Sequence, residues 1–447
     1  MARRLYAAAF LDDLVLLYPV YALLFADAGL SPAAISSLLV IWSVTSFALE
    51  VPSGVWADAF SRRFLLTLAP VLTGVGFALW TWWPCYAAFA AGFVLWGAGG
   101  ALRSGTLEAL VHRELVLAGA SGGYARLMGR ARALGTTATM LASALAAPVM
   151  AAGGYRAVGI ASVAVCALAA VAARALPCAP AEAQGGAAAG RSSMRPGGRS
   201  DSELRGGADS LCAGAVVGGG GEACRETGRQ AERGALRRVW RQGFGQVRGR
   251  APVRRALVLL AALTFVGALD EYLPLLAAGT GASPARVPLL LVVVSAGVAV
   301  GGWCAGWGHR RLAPLLAGAA LCLAGGALCG RPVGMVAVAV AFGVFEWALT
   351  VADARLQDRI EEGARATVTS IAGFGEDVVA VLAYAGYALG SVWAGPAVLF
   401  AVAAVPYLLL AVLIGVRPGS GAGSRSPARA DARHEDGAQD GAEGEVR

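Results

Sequence analysis

Leaving aside charges toward the ends of the stretches, such as Arg130 and Arg132, nine carboxylates and one guanidinium fall inside otherwise apolar sequence: Asp12, Asp13, Glu50, Glu108, Asp270, Glu271, Glu346, Glu376 and Asp377 against Arg103. A charge at the centre of a hydrocarbon layer costs on the order of 3 kcal/mol on insertion scales, so such groups normally face a cavity or a partner. One cation can neutralise only a minority of nine acids. The rest must be hydrated by a cavity or protonated, because loss of solvent favours the neutral form of a carboxyl. Acids held that way can load and release protons or attract a cation. Three pairs are sequence neighbours, Asp12/Asp13, Asp270/Glu271 and Glu376/Asp377. Neighbours on a helix diverge by about 100°, so one member of each pair faces a cavity centre and the other an adjacent helix. Asp270 and Glu346 each lie about 20 Å along their stretch, near its middle, and Asp12 only about 10 Å along. Asp12 and Asp13 therefore suit either a hydrated gate position or a binding site. Arg103 and Glu108 are about 140° apart around a helix and do not pair with each other. A tie from Arg103 to an acid on another helix is expected.

The elements that position these charges follow from composition. The chain of 447 residues is 57% hydrophobic and 15% charged, with mean hydropathy +0.62, outside the soluble range. Apolar runs of about 20 residues, each enough for ~30 Å of hydrocarbon, recur twelve times. They lie at roughly 5–27, 31–57, 64–83, 86–111, 127–151, 154–176, 256–278, 284–307, 312–330, 333–354, 367–390 and 393–416. The fifth is diluted by Thr136, Thr137, Thr139 and Ser143. The start imitates a cleavable leader, but Asp12 and Asp13 interrupt its run and eleven more follow, so it is read as the first span.

Every basic side chain outside three histidines is arginine. Without lysine there is no Walker A loop and no Schiff-base amine, so ATP-driven pumping by this chain alone is not expected. No enzyme activity is expected. The eight cysteines show no metal-ligand spacing and no disulfide framework. No catalytic, cofactor or metal site is expected.

Arginine placement fixes orientation. With the N-terminus cytoplasmic, Arg3, Arg4, Arg62, Arg63, Arg113, Arg126, Arg310, Arg311, Arg355, Arg359 and Arg365 lie inside, and only Arg156, Arg286 and Arg331 lie outside. The net charge of +8 then meets the anionic inner leaflet and needs no nucleic acid. A cell-membrane protein with both termini cytoplasmic is expected, its partners being the lipid bilayer, protons and a small molecule, and the chain acting as a monomer. Residues 1–176 form a first six-helix bundle and 256–416 a second. The segment 177–255 is rich in Gly, Ala, Ser and Arg, so it reads as a cytoplasmic linker, mostly disordered. An interfacial helix near 236–248, where Leu, Val, Trp and Phe mix with arginine, closes it. The tail 417–447 is polar and reads as disordered.

The two halves echo each other. Leu30-Ser31-Pro32-Ala33 after the first span returns as Ala282-Ser283-Pro284-Ala285 after the seventh, and Glu108-Ala109 in the fourth as Asp353-Ala354 in the tenth. Between spans two and three stands Gly54-Val-Trp-Ala-Asp58-Ala-Phe-Ser-Arg62-Arg63, and between eight and nine Gly302-Trp-Cys-Ala-Gly306-Trp-Gly-His-Arg310-Arg311. The first of these resembles the G-x-x-x-D-(R/K)-x-G-(R/K)-(R/K) loop of the major facilitator superfamily. Gly54, Asp58, Arg62 and Arg63 match; Ala59 and Ser61 depart from the pattern. The lead-in Glu50-Val-Pro-Ser is similar to that of bacterial drug-exporter-like members. In the second half Gly306 stands where the first has Asp58.

That resemblance implies an all-α integral membrane protein: twelve transmembrane helices in two pseudo-symmetric six-helix bundles, rocking around a shared cavity lined by helices 1 and 7. It implies that Asp58 and the arginines of both loops form a cytoplasmic gate pairing with an opposing helix end such as Thr367–Ser370. The plainer alternative is that Arg62 and Arg63 only anchor the topology. Arg103 is similar to the helix-4 arginine of proton-coupled members, although Arg103-Ser-Gly-Thr replaces the surrounding R-x-x-Q-G. Pro148 with Gly153-Gly154 resembles, in part, the antiporter motif G-P-x-x-G-G. The candidate proton and substrate cavity comprises Asp12, Asp13, Arg103, Glu108, Asp270, Glu271, Glu346, Glu376 and Asp377, with Trp42, Phe47, Trp80, Trp96 and Trp347 as candidate apolar lining. The function implied is proton-coupled export of small amphipathic organic molecules. Import of a small metabolite and a transporter-like sensor that moves nothing stand as alternatives.

Overall fold

Twelve crossings are built from fifteen helices among the described residues, because three spans are broken and two are fused. The computed structural model describes residues 2–117, 119, 123–176, 251–304, 311–357, 359 and 365–415. The first half holds α1 (Ala2–Asp13), α2 (Tyr21–Asp27), α3 (Pro32–Ala59), α4 (Arg62–Trp82), α5 (Tyr86–Arg103), α6 (Thr106–Leu117) and α7 (Tyr124–Arg174). The second holds α8 (Ala251–Leu263), α9 (Phe265–Asp270), α10 (Leu273–Gly279), α11 (Val287–Trp303), α12 (Leu312–Leu328), α13 (Gly334–Gln357), α14 (Arg365–Gly390) and α15 (Pro396–Gly415). Helix α8 is already helical at Ala251. Residues 177–250 of the expected linker, with its interfacial helix, and the expected tail 417–447 lie outside the described residues.

Length alone finds fewer crossings. Six helices are individually long and apolar enough to span a membrane, or seven when α8–α9 and α10, bent by 54° from each other, are joined. The shortfall has local causes. Span 1 is split into α1 and α2 by residues 14–20, and span 4 into α5 and α6 at Ser104-Gly105, where Gly105 takes φ 69°. Spans 5 and 6 run together as the 51-residue α7, turned at Gly153 and Gly154. Gly154 has φ 62° and ψ −160°, a region open essentially to glycine alone. The glycine pair that resembled part of an antiporter motif therefore makes the turn between two spans.

A broken helix in hydrocarbon must find partners for the backbone groups it frees. In span 1 the Leu17 N–H donates to Ser162 Oγ at 2.9 Å, a fully buried hydroxyl from the sixth span. Ends are capped conventionally. Ser31 accepts from the Ala34 N–H at 3.2 Å with Pro32 at the first helical position of α3. Ser61 accepts from the Phe64 N–H at 3.1 Å and starts α4. Ser61, one of the two departures from the loop pattern, is thus an N-cap.

In the first bundle α1 packs on α7, α4 on α5 and α7, and α3 on α5. In the second, α11 packs on α13, α12 on α13 and α15, and α8 on α13. Gly297 and Gly343 let α11 and α13 approach until their backbones touch, since a Cβ at either would run into the other helix's carbonyl. The bundles meet along α3–α14, α7–α11 and α2–α10. Leu382, Leu389, Val412 and Leu413 point outward and are exposed, the reverse of a water-soluble fold and suited to lipid.

The register that lays Ser31-Pro32 on Ser283-Pro284 also lays α2 on α10 residue for residue. It lays Tyr18 on Asp270. The repeat seen in the sequence therefore extends to where the helices break.

Candidate functional site

A cavity of about 660 Å³ lies at the bundle interface, and both halves line it. Asp12, Asp13, Arg103, Asp270, Glu271 and Glu346 all border it. The breaks put them there: Asp12 and Asp13 end α1, Arg103 ends α5 and Asp270 ends α9. Helix C-termini carry partial negative charge, which favours a cation and disfavours a carboxylate. Arg103 suits its place, whereas the three acids need compensation.

For Asp12 and Asp13 that compensation comes from their own bundle. Arg103 Nη1 bonds Asp12 Oδ2 and stands 3.8 Å from Asp13 Oδ1. The expected tie from Arg103 to another helix is thus to span 1. Asp13 also lies over Gly135 of α7, where a Cβ would strike its carboxylate.

Asp270 and Glu271 are met instead from the opposite bundle. Tyr21 donates from its hydroxyl to Glu271 Oε2, and Tyr18 hydrogen-bonds Asp270 and reaches Glu271. Tyr384, hydrogen-bonded to Ser43 across the interface, stands against the same two acids. One residue on, the Tyr272 hydroxyl and Ser36 Oγ lie 2.7 Å apart, again across the bundles. The Tyr272 ring stacks on Tyr387 at 3.6 Å and 11°. Four tyrosines (18, 21, 272 and 384) therefore bridge two spans of each bundle beside one end of the cavity. Sequence reasoning missed them, because tyrosine is ordinary in an apolar run; the register pairing Tyr18 with Asp270 was the available signal.

The cavity's apolar wall belongs to the first bundle. Trp96 meets Tyr18 edge-on at 6.1 Å, lies 5.5 Å from Trp42 and stacks on Phe93 at 5.9 Å. Of the aromatics expected to line it, Trp42 and Trp96 do. Trp80 and Trp347 are buried in packing, and Phe47 meets Phe374 at 5.6 Å on the α3–α14 seam.

Three expected acids lie elsewhere. Glu108 is exposed in the first turn of α6, where a carboxylate is favoured by the helix dipole; the break at Gly105 turns it away. Glu376 and Asp377 sit on α14 with Asp353 and Glu50 nearby, away from the cavity lining. Among the described residues no cluster could hold a metal ion.

At the loop resembling a gate, α3 continues to Ala59, so only Phe60 and Ser61 separate it from α4. Arg62 donates to the Ala109 carbonyl of α6 at 3.3 Å, a contact within one bundle. Arg63 Nε is buried without a partner among the described residues, and Arg311 is exposed. The side-chain roles expected of Gly54, Asp58, Arg310 and Thr367–Ser370 lie outside the described residues.

Two helical bundles around a shared cavity, with broken helices ending on it, are the architecture of a secondary transporter. The chain belongs to the major facilitator superfamily, whose family model matches residues 5–383. Among solved structures it resembles a mutant of the nucleoside transporter NupG, with TM-score 0.67 at 9% identity over 93% of this chain and 98% of that one. It resembles a D-xylose-proton symporter with TM-score 0.59 at 14% identity over 92% and 95%. A bacterial homolog of the human lysosomal transporter Spinster, inward-facing and unoccupied, gives TM-score 0.58 at 14% identity over 92% and 96%. These likenesses show the fold. No curated protein matches the sequence.

Proposed function

We propose that this chain is a proton-coupled exporter of small amphipathic organic molecules, working as a monomer by alternating access in the cell membrane. The observation that carries the reading is the partition of its buried acids. Two share a guanidinium inside their own bundle, while two more depend on hydroxyls of the other bundle. Contacts of the second kind must break when the bundles rock apart, so the charge state of Asp270 and Glu271 and the position of the bundles bear on each other. The inside-positive arginine pattern supports cytoplasmic termini. In that orientation Ser36, Tyr272 and Tyr387 lie toward the outside and close the cavity there, while its Asp12–Arg132 side lies toward the cytoplasm. On this reading the state is inward-facing.

Inside-out vesicles containing the protein test this directly. Energised acid inside, they should accumulate a fluorescent amphipathic substrate, and an uncoupler should release it. Acidification of the cytoplasm on adding a metabolite outside intact cells would replace export by symport. Flux in neither assay, with Asp58→Asn indistinguishable from wild type, would leave a sensor that transports nothing.

A further inference from the structure

The cavity's charge is unevenly divided. From the first bundle it receives two carboxylates, Asp12 and Asp13, and two guanidinium groups, Arg103 and Arg132. That side is formally neutral, and Arg103 already bonds Asp12. From the second bundle it receives Asp270, Glu271 and Glu346 and no cation. Tyrosine hydroxyls engage the first two. Among the described residues no hydrogen bond or ion pair reaches the Glu346 carboxylate; only its backbone carbonyl accepts a bond, from Thr350.

The apolar lining is divided the other way. Tyr18, Tyr21, Trp42 and Trp96 come from the first bundle, against Phe342 alone among the aromatics of the second. Tyr18, Trp42 and Trp96 contact one another. A volume of about 660 Å³ is in the range that encloses a drug-sized molecule. An anion placed there would face three unbalanced carboxylates. A cation would supply the missing counter-charge, and tryptophan and tyrosine faces attract it further.

We propose that the substrate is an organic cation with an aromatic or apolar body, the body held by Tyr18, Trp42 and Trp96 of the first bundle and the charge by Glu346 of the second. This rests on the transport reading above and deepens it. An occupant bound so touches both bundles at once, and its two ends are read by different repeats. Body size is then set by one half of the molecule and charge by the other.

Binding to the full-length protein in nanodiscs tests this with three probes. Tetraphenylphosphonium and tetraphenylborate share a shape and differ in the sign of charge; tetraethylammonium keeps the charge and lacks the rings. Labelled tetraphenylphosphonium should bind saturably, and tetraphenylborate should not displace it. Glu346→Gln should weaken the phosphonium by about tenfold or more, with Glu346→Asp retaining most of the affinity. Trp96→Leu should weaken the phosphonium and leave competition by tetraethylammonium nearly unchanged. Retained melting temperature in Glu346→Asp guards against misfolding as the cause. Equal affinity for the phosphonium in Glu346→Gln, or equal binding of the borate, overturns the proposal. Phosphonium binding without accumulation in energised vesicles would overturn the transport reading instead. Proton-driven accumulation of a neutral or anionic compound, with no phosphonium binding, would sink the cation assignment and leave transport standing.

Discussion

Spans 1 and 7 hold equivalent places in the two repeats and resume as helices at equivalent points, Tyr21 and Leu273, yet they satisfy their acids in opposite ways. In span 1 the acids precede the break and Arg103 of the same bundle meets them. In span 7 they occupy the positions of Tyr18 and Pro19, and tyrosines of the other bundle meet them. A charge neutralised within a bundle keeps its partner however the bundles move. One satisfied across the interface must exchange its partner at every opening. On the alternating-access reading proposed above, the first arrangement is a strut and the second a switch, so the same helical frame would carry a fixed function in one repeat and a moving one in the other.

The largest effect should come from removing the proton from the switch while keeping its shape. Glu271→Gln still accepts from Tyr21 but cannot ionise. Accumulation of substrate against a gradient should fall by about tenfold or more, as expected when a functional intramembrane acid is lost. Exchange of labelled for unlabelled substrate, which needs no net proton, should continue. Full accumulation in this variant would mean that span 7 is no switch, and the contrast with span 1 would have no functional content.

The strut should answer in stability. Arg103→Ala leaves Asp12 at a helix C-terminus without a cation. Breaking a fully buried pair costs about 3–5 kcal/mol, and the loss here is nearer to about 1 kcal/mol, because the Arg103 side chain is 45% exposed and Asp12 23%. Adding Asp12→Asn should restore part of the melting temperature, since the stranded charge is then gone. No recovery in the double variant would show that Arg103 works through packing, and the word strut would fail.

Much of this frame was legible in the sequence. Twelve apolar runs, the echo at Ser31 and Ser283, and the scarcity of cations among intramembrane acids led to two bundles around an acidic cavity. The breaks were not legible. Leu14 to Val20 is as apolar as a helix and its one breaker, Pro19, is a residue that membrane helices tolerate, while a hydroxyl that satisfies its turn is that of Ser162, distant in sequence. Nor could spacing say which acids face the cavity. Spans apolar on every side give no preferred face, so sequence alone groups Glu376 and Asp377 with Asp270 although they sit on the α3–α14 seam. Tyr18 and Tyr21 carry little signal in the sequence because their role depends on what the other bundle presents.

A smaller effect should sharpen the switch. Tyr21→Phe removes one cross-bundle hydrogen bond of several, worth about 1 kcal/mol net, so the closed outer face should open about fivefold more often. The readout is alkylation of a single cysteine placed at Ser37, beside Tyr86 at that end, in a background without the native cysteines. Its rate should rise. An unchanged rate would show that the tyrosines pack the interface without holding it shut.

The smallest effect is expected at the acids outside the cavity. Glu376 shares its surroundings with Asp377 and Asp353, and Glu50 lies against Asp377, so like charges crowd the seam between α3 and α14. Glu376 is only half-buried, and charges so placed are worth about 0–1 kcal/mol. Glu376→Gln should raise the melting temperature slightly by relieving repulsion and leave accumulation within about twofold, the scale of such a term. A comparable loss here and in Glu271→Gln would put proton coupling on the seam as well as in the cavity. The tyrosine-held acids of span 7 would then be one of two coupled sites, and the difference between the repeats would lie in how the load is shared.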